Sequence, residues 1–217
     1  MILRDVPDDD SKAPLSDELF ARVDEGDDAL FYREPRFVAH IDAGTIAALT
    51  QYYREALPDG VRVLDLMSSW ISHLPPEARY AAVAGLGMNA AELDANERLT
   101  LRRVHDLNRD PVLPFAAASF DAALIAVSVQ YLVQPVAVFR DIARVLTPGG
   151  RVIVAMSHRC FPTKAVRAFH LLGAAERIRL VGHYFERAGC YEAASFSDRS
   201  PPGEDPLWIV SARTVVA

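Results

Sequence analysis

Only two cysteines, Cys160 and Cys190, occur in the 217 residues, which excludes a disulfide framework. No apolar run approaches the roughly 18 residues needed to span a bilayer, so no membrane segment is expected. The first residues lack a basic-then-apolar signal pattern, and a cytoplasmic protein is the expectation. No G-x-G-x-x-G follows the first strong apolar run, which argues against a nicotinamide oxidoreductase. Histidine and cysteine have no metal-ligand spacing beyond His158-x-Cys160, so no metal is expected. Basic charge is also short. The net charge is −6, and residues 1–29 hold ten acids against three bases, leaving the remaining body at +1. A near-neutral body gives no support to a phosphate-tracking nucleic-acid binder. The acidic stretch 1–29 is expected to be a loosely ordered, solvated arm.

What is present is a globular composition, 51% hydrophobic, of a size that suits one domain over residues 30–217. From residue 60 onward strand and helix signals alternate. Val61–Leu66, Tyr80–Leu86, Leu99–Leu107, Phe120–Val127 and Arg151–Ser157 read as strands. Pro75-Pro76 limits any helix begun at Ser68 or Ser69 to a short one. Asn89 with Glu92 three residues on reads as a capping box. Pro135 opens a helix whose apolar face is Val136, Phe139, Ile142, Ala143 and Leu146, ended by Thr147-Pro148-Gly149-Gly150. Lys164–Ala188 reads as helical with a break near Gly173, and Tyr191–Ser197 with Leu207–Val215 as a closing hairpin. Asp42 can cap a helix through Tyr53, making residues 30–58 a helical lid beside a 60–217 sheet core. The expected fold is α/β: a doubly wound, mostly parallel seven-stranded sheet, helices on both faces, and a C-terminal antiparallel hairpin.

Two stretches carry a resemblance. Leu113-Pro114-Phe115 with Ser119-Phe120-Asp121 is followed by Arg144-Val145-Leu146-Thr147-Pro148-Gly149-Gly150-Arg151. This pair is similar to the "LPF…SFD" and "RVLKPGG" signatures of the class I S-adenosylmethionine-dependent methyltransferases of the type 11 kind. The resemblance implies a Rossmann-like fold over about residues 60–215, S-adenosylmethionine as cofactor, and methyl transfer to an acceptor. It further implies that Asp106 accepts from the adenine amino group while Leu107 and Asn108 flank the ring. Asp65 matches an acid that positions the amino-acid end of the cofactor; bonding to the amides of its own turn is the other role open to it.

Two positions depart from that pattern. The glycine-rich loop is replaced by Met67-Ser68-Ser69-Trp70, where serine hydroxyls can cap a following helix or bond the cofactor carboxylate. Gly87 stands where the family carries its ribose-binding acid, with Met88 against the adenine face and Asn89 as a neutral substitute. Ser128 follows the fourth strand and completes the expected cofactor set. Tyr32, Arg36 and His40 lie in the lid segment, facing the cofactor carboxylate or the acceptor. Tyr131 after strand four, His158 after strand five and His40 are the candidate catalytic residues. The expected partner is a small-molecule methyl acceptor; the sequence sets no oligomeric state. A rival reading is a methyltransferase-like protein that has lost catalysis and serves as a binding module.

Overall fold

The computed structural model describes residues 16–216. Seven strands form one sheet: β1 (Arg62–Leu66), β2 (Ala82–Gly87), β3 (Leu101–Val104), β4 (Phe120–Ala126), β5 (Leu146–Met156), β6 (Ser195–Asp198) and β7 (Trp208–Arg213). Their order is β3-β2-β1-β4-β5-β7-β6. The first five strands run parallel, and β7 lies antiparallel between β5 and β6. This is the doubly wound sheet with a closing antiparallel hairpin that the alternation of elements implies.

Side chains alternate between two cores, as the strand period of two requires. Leu64 and Leu66 of β1, with Ala123 and Ile125 of β4, pack beneath α4 (Pro135–Val145) and α6 (Ala174–Ala188). Val63 and Leu124 face the opposite layer, against Leu49, Tyr52 and Tyr53 of α2 (Ala43–Ala56) and Leu93 of α3 (Ala90–Ala95). Asp42 caps α2 by accepting from Thr45 N. The expected break near Gly173 is real: α5 (Arg167–Leu171) ends before it, and Glu176 accepts from Gly173 N–H to start α6.

The two signature stretches stitch the amino ends of the strands. Arg144 donates to the carbonyls of Leu113 and Phe115, and Asp141 accepts from Leu113 N. Asp121 accepts from the backbone and guanidinium of Arg62 and from Thr147 Oγ1. These motifs specify the fold at the edge opposite the carboxyl ends.

Three expectations are corrected. No helix forms between β1 and β2; residues 67–81 are irregular, held by side chains. Glu92 does not reach back to the Asn89 backbone; its carboxylate accepts from Arg36 N and Ser69 Oγ instead. Of the acidic stretch, residues 1–15 lie outside the described residues, and 16–29 lie against the body. Asp28 opens the short helix α1 (Asp28–Phe31) buried beside Lys164, and Arg22 bridges to Val166.

Candidate active site

Strand order reverses between β1 and β4, and in open α/β sheets ligands bind outside the carboxyl ends at that point. The loops after β1, β2, β3 and β4 converge there on a cleft, with residues 32–41 above it. The cleft holds about 1170 Å³ of space between protein atoms, counting its mouth. Of the residues expected at the site, all but His158 line it: Tyr32, Arg36, His40, Asp65, Met67, Ser68, Ser69, Gly87, Met88, Asn89, Asp106, Leu107, Asn108, Ser128 and Tyr131.

The loop after β1 solves its lack of glycine by strain. Met67 takes a φ of +55°, His73 +54° and Val127 +49°, and all three line the cleft. Left-handed backbone at non-glycine residues costs on the order of 1–3 kcal/mol each and clusters where the fold over-determines it. Here Ser68 N–H donates to Leu86 O, pinning the loop onto the end of β2. That contact explains Gly87. A Cβ at position 87 would overlap the Ser68 carbonyl oxygen. The missing glycines and the missing acid are therefore one coupled change: the loop occupies the space of the side chain.

Both serine hydroxyls are committed inside the protein. Ser68 Oγ and Ser72 Oγ each donate to Asp65 Oδ2 at 2.7 Å, and Ser69 Oγ donates to Glu92 at 2.6 Å. With no helix following, they have no helix to cap. Asp65 is 3% exposed. Burial pushes its carboxyl up to about 6, while the Ser72 and Ser68 hydroxyls pull it back. A carboxyl with a folded pKa above its unfolded 3.8 loses folded-state stability as pH rises through that window. Asp65→Asn should therefore be more stable than the native chain at pH 8, by about 2–3 kcal/mol. The difference should vanish below about pH 4. Urea denaturation at the two pH values checks it; an equal difference at both would refute the ionised state.

The segment above the cleft is latched from below. Asn89 Nδ2 donates to the carbonyls of Tyr32 and Arg33, and Trp70 Nε1 to Val38 O. Arg36 donates to Phe31 O while its guanidinium lies 4.6 Å from the Phe31 ring centroid. Burial pushes the Tyr32 phenol far up, keeping it neutral.

After β3, Asp106 Oδ1 accepts from Asn108 N and Arg109 N, so it holds its own turn as well as lining the cleft. Asn108 is a hub. Its Nδ2 donates to Asp28 Oδ2 and Tyr131 O, and its Oδ1 accepts from Val133 N.

On the β4 side, Tyr131 stacks on Phe161 at 5.8 Å and its hydroxyl accepts from Phe161 N. Burial pushes that phenol to about 12, against bonds from Phe161 and Gln130, so it is no base at neutral pH. His158 is a correction. It turns away from the cleft and its Nε2 meets Asp205 Oδ1 at 3.0 Å, beside Arg159, which binds the same carboxylate. Asp205, which also bonds the Asp42 cap of α2, draws the loop after β5 toward that helix.

Several lining residues escape a reading of the sequence for sites, among them Asp28, His73, Glu92, His105 and Phe161. The Asn89/Glu92 spacing flagged Glu92, but as a cap. Three wall atoms are buried without a hydrogen-bond partner: Arg36 Nη1, His73 Nδ1 and Ser128 Oγ. Buried polar atoms are rarely left so.

Residues 69–154 match the methyltransferase domain family. No curated protein matches the sequence. Among solved structures, the chain is similar to the [4+2]-cyclase SpnF at 18% identity, covering 78% of this chain and 81% of that one, with a TM-score of 0.59. An S-adenosylmethionine-dependent methyltransferase from Mesorhizobium loti matches at 17% identity over 76% of this chain and 97% of that one, TM-score 0.55. The trans-methyltransferase CalH in complex with S-adenosylhomocysteine matches at 16% identity over 79% and 58%, TM-score 0.55. At such identities the structures speak for the fold, and the domain match speaks for residues 69–154. With the signature stretches in register and a polar cleft at the switch point, residues 69–154 match a methyltransferase domain, and the chain shares the fold of S-adenosylmethionine-dependent methyltransferases.

Proposed function

We propose that this chain is an S-adenosylmethionine-dependent methyltransferase that acts in the cytoplasm on a small molecule held beneath the 32–41 segment. The observation that carries the reading is the latch: Glu92, Asn89 and Trp70 fasten that segment across part of the cleft. A nucleic-acid strand needs an open, basic groove; this body is near neutral.

The cofactor supplies an electrophilic methyl carbon on a sulfonium. The chain's residues bind and orient. Asp106, Leu107 and Asn108 form the adenine wall after β3. Gly87, Met88 and Asn89 form the ribose wall, without the family's carboxylate and with the Asn89 amide committed to the Tyr32 and Arg33 carbonyls. Asp65, Met67, Ser68 and Ser69 shape the amino-acid end, and there the unpartnered Arg36 Nη1 meets the cofactor carboxylate. Tyr32 closes this end as a neutral ring. Ser128, Tyr131 and His40 border the acceptor. Burial, with Arg36 nearby, holds the His40 imidazole below its ordinary value despite Glu92. His40 is therefore neutral at pH 7 and fit to accept a hydrogen bond.

Calorimetric titration with S-adenosylhomocysteine tests the reading. Binding should be seen with the native chain. Arg36→Ala should weaken it by about 1.5–3 kcal/mol, the worth of one charge-assisted hydrogen bond. Asp106→Ala should also weaken it, through both the lost acceptor and the released turn. No binding at millimolar ligand would favour the non-catalytic rival.

A further inference from the structure

Arg151 of β5 and Arg213 of β7 are register partners on adjacent antiparallel strands. Such partners share one face of the sheet with Cβ atoms about 4.5–5.5 Å apart, and like charges placed so are destabilising. The next rungs of that face, Ile153 opposite Ser211 and Ala155 opposite Ile209, are buried on the side of α2. The arginine rung closes the face at the sheet edge opposite the cleft.

Neither guanidinium meets a carboxylate among the described residues. Arg213 Nη1 donates to the neutral Gly149 carbonyl. β5 and β7 carry no acid of their own. Glu55 of α2 is paired with Arg199, and Asp121 of β4 with Arg62. Asp198, at the far end of β6, accepts from Ser200. Burial and the Arg213 charge both push the Arg151 guanidinium down, with Tyr52 opposing them. Arginine keeps its proton in proteins, so the repulsion lasts until an anion relieves it. Hydroxyls stand beside the pair. Tyr52 OH is 3.5 Å from Ser211 Oγ, too long for a firm bond, and Ser195 Oγ is 3.2 Å from Ser211 Oγ. Hydroxyl protons rotate to suit a new acceptor. One carboxylate would neutralise only one of the two cations. A tetrahedral dianion answers both, and guanidiniums donate in pairs to phosphate oxygens.

We propose that Arg151 and Arg213, with the Tyr52 hydroxyl, bind a phosphate dianion at the sheet edge opposite the cleft, as the free ion or as the monoester of a small molecule. Bound there, the anion turns a repulsive rung into a clamp between β5 and β7. The site shares no residue with the cleft, so it stands apart from the methyltransferase reading.

Inorganic phosphate is the first probe, titrated into the full chain and read by backbone amide shifts. The amides of Arg151 and Arg213 should shift and saturate at millimolar phosphate. Sodium chloride at matched ionic strength should not reproduce this, because screening is common to both salts. Arg151→Gln and Arg213→Gln should each weaken phosphate binding by about tenfold, and the double variant should abolish it. Phosphate should raise the urea midpoint of the native chain and leave that of the double variant unmoved. In chloride alone the double variant should be at least as stable as the native chain, since it removes a like-charge rung. Glycerol 3-phosphate is the second probe. Tighter binding than inorganic phosphate identifies a monoester, and weaker binding the free ion. No saturable shift at Arg151 and Arg213, an equal response to chloride, or undiminished binding by the folded double variant overturns the proposal.

Discussion

Restoring the family's acid by Gly87→Asp should weaken S-adenosylhomocysteine binding by about tenfold or more. Sequence comparison alone suggests the opposite, because a carboxylate is what the ribose normally meets. The geometry forbids it. The Ser68 carbonyl lies where the new Cβ must go, and the contact is with backbone, which has no rotamer to escape into. The β1 loop must lift off β2, breaking Ser68 N–H to Leu86 O and displacing the Ser68 hydroxyl from Asp65. Overpacking of this kind costs about 1–3 kcal/mol. Gly87→Ala separates the two effects, since it adds the Cβ without the charge. Both variants should lose stability in urea, and the aspartate should recover no affinity relative to alanine. Tighter binding by Gly87→Asp at unchanged stability would show that loop and strand are independent.

The largest stability effect should come from Asp28→Ala. Asp28 is 5% exposed and Lys164 1%. Arg22 bonds both Asp28 oxygens at 2.9 and 2.8 Å, Lys164 Nζ meets Oδ1 at 2.9 Å, and Asn108 Nδ2 meets Oδ2 at 2.9 Å. Lys164 keeps Asp24 and the Gly26 carbonyl, but its closest buried counter-charge is gone. Removing one partner of a buried pair costs about 3–5 kcal/mol. Asp28→Leu with Lys164→Met should recover only part of the loss, because it removes the lysine charge while Arg22, 7% exposed, still loses its carboxylate. Urea titrations of the single and double variants decide this; equal losses would mean that the cluster is not coupled. Burial alone would raise the Asp28 carboxyl. Bonds from Asn108, Lys164 and Arg22 outweigh it and hold the group below the usual carboxylate range. The stabilisation should thus be complete above about pH 4 and fade as the solution is acidified through the depressed value. Because Asn108 also carries Tyr131 O and Val133 N, the single variant should loosen the adenine wall as well.

Much of the fold was legible because its signals are local. Apolar runs made β1, β2, β4 and β5, Pro135 and its periodic face made α4, and Gly173 divided the last helices. The paired signatures were legible for the same reason, and the structure shows them at work as stitches between β4, α4 and β5. The site was legible as a place. Loops after parallel strands converge at the switch point, and the resemblance to the methyltransferase signatures assigned residues 65–69, 87–89 and 106–108 to that one cleft. What each side chain does there was not legible. Ser68 and Ser69 looked like ligands for a cofactor, but their partners are Asp65 and Glu92, and the second lies 23 positions away. His158 belonged to the correct edge of the sheet and was drawn off by Asp205. Asp28 looked like one more charge on an acidic arm, because Lys164 is far along the chain.

By itself the sequence determined the alternation of elements, a mostly parallel sheet and the edge at which ligands meet it, since these follow from periodicity and chain connectivity. It also determined that the usual glycines and the usual acid are absent. Only the tertiary structure decided that these two absences are one event. A carbonyl oxygen of the loop stands in the volume of a side chain on the neighbouring strand, and two atoms cannot share that volume.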